Sequence, residues 1–144
     1  MAAFKIEVDG NDGTGKSTLI KYLESKFSQC TFSDRGLFSK FTLKEDVKDF
    51  REIVKTSGKY YIILKSSIEA SQNRILKRGD SLEERFHTKE DLSKYNDKFK
   101  SLVALCKGLS NVIEIDTSIN DISLMCDKAS NIIKDIICNK GANL

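Results

Sequence analysis

Val8-Asp9-Gly10-Asn11-Asp12-Gly13-Thr14-Gly15-Lys16-Ser17-Thr18 is the stretch whose reading decides the fold. It contains the pattern G-x-x-x-x-G-K-S/T in full. An alternating apolar segment over 4–8 precedes it, and an amphipathic segment over 17–27 follows, with Leu19, Ile20, Leu23 and Phe27 at helical spacing. Glycine at 10, 13 and 15 lets the backbone turn tightly and aim its amides inward. The helix beyond presents its positive end to the same point. Such a turn cradles the phosphates of a nucleoside triphosphate. Asp12, Gly13, Thr14, Gly15, Lys16, Ser17 and Thr18 are the expected ATP-phosphate contacts. Lys16 is placed to reach the β- and γ-phosphates, and the Ser17 hydroxyl to ligate Mg2+. A glycine-rich turn that binds nothing is the plainer alternative.

Beyond the loop, strand and helix patterns alternate. A short strand is expected over 31–33, and a helix over 43–55 with Val47, Phe50, Ile53 and Val54 on one face. The run over 59–65, with Tyr60 to Leu64 apolar throughout, suits a parallel strand covered on both faces. Ser67 can cap a helix over 68–78, with Gly79 as its stop, before a polar loop over 80–87. Thr88 begins a helix whose stripe is Leu92, Tyr95, Phe99, Leu102, Val103 and Cys106. A last strand covers 112–115. Asn120 or Asp121 then caps a final helix with Ile122, Met125, Ala129, Ile132, Ile133 and Ile136 inside, and the tail from Asn139 is expected to fray. The alternation predicts an α/β fold of the P-loop NTPase kind. It is a three-layer α-β-α arrangement on a mostly parallel central sheet, in one domain over 1–144. Ligands in such sheets bind beyond the carboxyl ends of the strands, where the glycine loop sits.

Composition narrows the function. A net charge of +3 over 144 residues is too small an excess to argue for nucleic acid. The four cysteines form no C-x-x-C pair and His87 is the only histidine, so zinc is not expected and the thiols read as reduced. His87 reads as a surface residue. No apolar run approaches the roughly 20 residues that span a bilayer. The first residues lead straight into a strand, so no signal peptide fits. The expected partners are small-molecule nucleotides, with no nucleic acid and no membrane. No N-K-x-D motif is present to read a guanine base.

Three stretches carry a family resemblance. The loop Asp9 to Thr18 resembles the G-x-D-G-x-G-K-S/T-T loop of thymidylate kinases and related deoxynucleoside monophosphate kinases. Ser33-Asp34-Arg35-Gly36, followed by Ser39, resembles that family's D-R motif with a serine five residues after the aspartate. Glu69, Arg74, Arg78-Gly79 and then Glu84-Arg85-Phe86 resemble its arginine-bearing helix and mobile lid, here about 78–88. There are departures. The chain has no proline, so an R-E-P-G segment is absent. Lys65 stands where an aspartate is usual, and the acceptor-side helices are trimmed. The resemblance implies a short member of that family, cytoplasmic (in a host's cytoplasm if virus-encoded), with a homodimer as an option. The implied reaction moves the ATP γ-phosphoryl group to a deoxynucleoside monophosphate. A kinase of another small acceptor, such as a nucleoside, and a nucleotide-binding protein without turnover stay open.

The resemblance also distributes roles. Lys16, Arg35, Arg85 and Asp9 would be catalytic. Asp34 would join Ser17 at the metal, and Arg78 would reach the ATP phosphates. Asp12, Arg35, Phe38 and Ser39 would meet the acceptor, with Asp12 on its 3′-hydroxyl; Phe38 or Phe41, just after the Asp-Arg pair in a polar stretch, is placed to stack on its base. Arg74 shares a helix face with Arg78. Plainer readings stand beside each: Asp34 as a turn cap, Arg35 as a surface ion pair, Asp12 as a shaper of the turn, and the arginines as a solvated basic face.

Overall fold

The computed structural model describes residues 4–83, 87–119 and 122–142. Four strands, β1 (Phe4–Gly10), β2 (Cys30–Asp34), β3 (Tyr60–Lys65) and β4 (Val112–Asp116), form one sheet in the order β2-β1-β3-β4. Every neighbouring pair is parallel, so each connection is a crossover that carries helix. The helices are α1 (Lys16–Lys26), α2 (Leu37–Thr42), α3 (Phe50–Thr56), α4 (Ile68–Lys77), α5 (Lys89–Leu105) and α6 (Ile122–Ala142). Among the described residues no helix is long and apolar enough to cross a membrane.

The continuous apolar run of β3 follows from its place in the middle. Ile62 and Leu64 join Ile6 and Val8 in a core with Leu19 and Leu23 of α1 and Ala129 and Ile133 of α6. Tyr61 and Ile63 alternate to the other face and meet Phe38, Phe50, Val54, Phe99 and Leu102 from α2, α3 and α5. The sheet thus lies between two helical layers, as expected.

β1 alternates in the same way, but its second face carries Glu7 and Asp9, both buried. Their oxygens take the amides that open α2. The Leu37 N–H donates to Glu7 Oε1 at 2.9 Å, and the Gly36 and Ser39 N–H groups donate to Asp9 Oδ2 at 3.1 and 2.8 Å. A six-residue helix has no stability of its own in water. Here two carboxylates from a neighbouring strand cap its orphan amides.

This corrects the expectation of a single helix over 43–55. The chain forms α2 earlier and α3 later. Between them the Lys48 N–H donates to Asp46 Oδ1 at 3.1 Å, closing a turn that delays the next helix to Phe50. Leu43 is exposed, while Val47, Phe50 and Val54 pack into the second core. Other ends follow their predicted caps: Ser67 Oγ accepts from the Ala70 N–H at 3.2 Å, and Thr88 Oγ1 accepts from the Asp91 N–H at 3.1 Å. The expected caps Asn120 and Asp121 lie outside the described residues. α6 runs on to Ala142 rather than fraying from Asn139, because Ile133 and Ile136 keep it on the core. Ile122, expected inside, is exposed at its start.

Candidate nucleotide-binding site

The glycine loop leaves the end of β1 and enters α1 through Gly15, whose φ of 94° only glycine adopts freely. Its outer side is tied to three elements. The buried Asn11 amide donates to the Leu92 carbonyl at 2.7 Å and to Asn96 Oδ1 at 2.8 Å, both on α5. The Thr117 hydroxyl after β4 donates to the Thr14 carbonyl at 2.9 Å. Gly13 lies against α4 so closely that a Cβ there would stand 2.5 Å from the Ser71 carbonyl oxygen. Lys16 is 5% exposed, and its ammonium donates to the Gly10 and Asn11 carbonyls at 2.9 and 2.7 Å. Burial first, then the nearby Arg35 guanidinium, push its pKa down from 10.5 to about 8, against the pull of Asp9, Asp12 and Asp34.

A cavity of about 530 Å³ opens over this loop. Gly13, Gly15, Lys16, Ser17 and Thr18 form its floor, Asp34 and Arg35 one wall, and Arg74, Lys77 and Arg78 of the α4 end another. Ile119, Ile122 and Met125 make a third, apolar wall. Five cations against one carboxylate suit a polyphosphate, and the apolar wall suits a flat ring attached to it. Ser17 and Asp34 bring two oxygen donors to the same space, a set that fits Mg2+ completed by phosphate oxygens. Arg35 is held there by its backbone. Its φ of 60° is left-handed, which no other non-glycine residue among those described adopts, and its N–H donates to the Val8 carbonyl at 3.0 Å. Such conformations cost energy and gather where a side chain must be aimed. A second cleft of about 480 Å³ lies between α5 and the edge of β4. Its lining sets Lys65 and Lys100 against Asp97, Glu114 and Asp116, so it lacks the cationic excess of the first.

The structure brings Lys16, Ser17, Thr18, Asp34, Arg35 and Arg78 onto one cavity. Other expectations need correction. Asp9, expected to be catalytic, is fully buried. Both its oxygens are filled by the Gly10, Gly36 and Ser39 amides and the Ser39 hydroxyl, so it positions the Asp34-Arg35-Gly36 turn. Ser39, expected at the acceptor, gives its hydroxyl to that same carboxylate. Phe38 is 0% exposed, edge-on to Phe50 at 4.8 Å, and offers no face to a base. Phe41 is buried beside it. Thr14 contributes backbone only, since its buried hydroxyl donates to the Asn11 carbonyl at 2.8 Å.

Asp12, expected on an acceptor hydroxyl, is taken up by neighbours. Arg78 Nη2 donates to both its oxygens at 3.0 and 2.9 Å, and His87 Nε2 lies 2.5 Å from Oδ2. Burial would raise its pKa. The hydrogen bond and charge of Arg78, then His87 and Lys16, outweigh burial and hold it below the ordinary carboxylate value. His87 is therefore a buried partner of the loop, not a surface residue. Arg74 is a brace as well as a wall. Its guanidinium donates to the Gly13 carbonyl at 3.1 Å and to the Thr117 carbonyl, and burial lowers its pKa. Arg85 lies outside the described residues.

Sequence reasoning missed Glu7, Lys77, Ile119 and the partnership of His87 with Asp12. For Glu7 a signal existed: its parity in β1 matches that of Asp9, and two acids on one face of a central strand imply donors opposite. For the others only the fold supplies proximity.

Among curated proteins none matches the sequence. Among solved structures, the deoxyadenosine kinase from M. mycoides with bound dCTP is similar, with a TM-score of 0.62 at 14% identity, over 92% of this chain and 100% of that one. That likeness establishes the fold: a parallel-sheet P-loop domain shaped like a deoxynucleoside kinase. The KAP family P-loop domain matches residues 2–142. The match takes in the glycine loop, the Asp34-Arg35 turn and the α4 arginines together, and the chain belongs to the KAP family of P-loop NTPase domains.

Proposed function

We propose that the chain is a Mg2+-dependent phosphotransferase that binds ATP in the 530 Å³ cavity and passes its γ-phosphoryl group to a deoxynucleoside monophosphate, in the manner of thymidylate kinases. The observation that carries this reading is Arg35. A left-handed backbone aims it and Asp34 at the space that holds Lys16 and Ser17. Phosphoryl transfer is chiefly the alignment of two ligands and the neutralisation of spreading negative charge. Lys16 and the loop amides hold the β- and γ-phosphates, and Lys77 and Arg78 flank them. Arg35 grips the acceptor phosphate with its planar fork. Ser17 and Asp34 would hold Mg2+, which would supply charge neutralisation at the phosphate oxygens. The nucleobase of the donor rests against Ile119 and Ile122.

Hydrolysis without an organic acceptor is the second reading. The burial of Phe38 and Phe41 favours it, because it leaves no aromatic shelf beside Arg35. Labelled ATP with Mg2+, offered dTMP, dUMP, dCMP, dGMP, dAMP, their ribose forms and the free nucleosides, separates the cases. A labelled nucleoside diphosphate supports the proposal. A labelled monophosphate points to a nucleoside kinase, and free phosphate alone to hydrolysis. Turnover that survives Lys16→Ala refutes the site in every case.

A further inference from the structure

Asp12 sits in the phosphate loop with its side chain only 13% exposed, and three donors hold it: the Gly13 N–H at 3.1 Å, Arg78 and His87. The two side-chain partners are not equivalent. Arg78 is 45% exposed, lines the cavity, and has a second carboxylate, Asp80, 2.5 Å from its Nε. His87 is 9% exposed and is not itself among the residues that line the cavity. Both its ring nitrogens face oxygen acceptors: Nδ1 is 2.9 Å from the Ser81 carbonyl and Nε2 is 2.5 Å from Asp12 Oδ2. An ionised carboxylate offers only lone pairs, so at this separation Nε2 is a donor to Asp12. Arg78 Nη2, 3.2 Å from Nε2, serves the same carboxylate.

We infer that His87 is the second donor that keeps the Asp12 carboxylate in place when Arg78 turns to a bound polyphosphate. The inference rests on the nucleotide-binding reading above and adds a positioning residue to it. A polyphosphate beside the loop draws the half-exposed guanidinium away from Asp12. That would leave a nearly buried carboxylate short of partners, a costly arrangement unless another donor remains. His87, with Nδ1 2.9 Å from the Ser81 carbonyl, is that donor. Its effect on nucleotide affinity passes entirely through Asp12.

Binding of a non-hydrolysable ATP analogue with Mg2+ tests this by calorimetry on wild type, His87→Asn, Asp12→Asn and the double variant. His87→Asn is expected to weaken binding on the order of 10- to 100-fold, the size of a lost charged hydrogen bond. In the Asp12→Asn background the same change is expected to alter affinity by no more than about twofold, because no carboxylate is left to hold. If His87→Asn does not fold, the comparison of Asp12→Asn with the double variant carries the test alone. Equal affinities of wild type and His87→Asn overturn the inference and leave the nucleotide site intact. So does a tenfold loss that persists without the Asp12 charge, which marks a merely structural role. Failure of the wild type to bind the analogue overturns the nucleotide site and the inference together.

Discussion

Lys16 should carry a proton in the nucleotide complex that it lacks in the free protein at mildly alkaline pH. Buried at 5% exposure and beside Arg35, its ammonium titrates at about 8 rather than 10.5. At pH 7 about nine-tenths of the free protein holds the charged form, and at pH 9 only about one-tenth. A polyphosphate surrounds the amine with negative charge and restores the charged form, so binding at pH 9 takes up about 0.9 proton per site and at pH 7 about 0.1. The affinity for an ATP analogue should therefore fall roughly tenfold from pH 7 to pH 9. Calorimetry in two buffers of different ionisation enthalpy reads both quantities. Lys16→Arg, charged throughout, should lose the pH slope if it binds at all. A flat affinity between pH 7 and 9 with no proton uptake would refute the picture of a desolvated ammonium awaiting phosphate. The same group affects folding with a defined sign. The unfolded chain keeps the proton up to about 10.5 and the folded chain only to about 8, so Lys16 makes stability rise with pH across that window.

Other consequences follow from the corrected assignments. Asp9→Asn replaces one oxygen with a donor facing donors, and should cost about 2–3 kcal/mol of stability in a urea titration; an unchanged midpoint with lost activity would restore Asp9 to a catalytic role. Arg35→Gly relieves a left-handed side chain, so its thermal midpoint should stay level or rise by the equivalent of up to about 1 kcal/mol while phosphoryl transfer disappears; a fall in stability would argue against a strained, aimed arginine. Phe38→Ala should destabilise by about 3–5 kcal/mol, as for a core aromatic; a loss confined to acceptor KM would instead support stacking on a base.

The sequence by itself determined the chemistry of one turn and the layering around it. A glycine pattern between a strand and an amphipathic helix specifies inward amides because the steric freedom is written into the residues themselves. The continuous apolar run at Tyr60 to Leu64 announces a strand covered on both faces for the same local reason. Ser67 and Thr88 cap their helices through side chains three residues from the amides they serve, well within the reach of local reading. What tertiary structure alone decided is the far side of the site. α2 exists because Glu7 and Asp9, 30 residues earlier, cap it, and its own six residues carry no sign of this. Phe38 is core because that docking turns it inward, and His87 meets Asp12 because the turn after α4 folds back onto the glycine loop. Local propensities act within a turn or two of the chain. A buried carboxylate is satisfied by whichever donors the fold carries to it, and those donors can lie anywhere in the sequence.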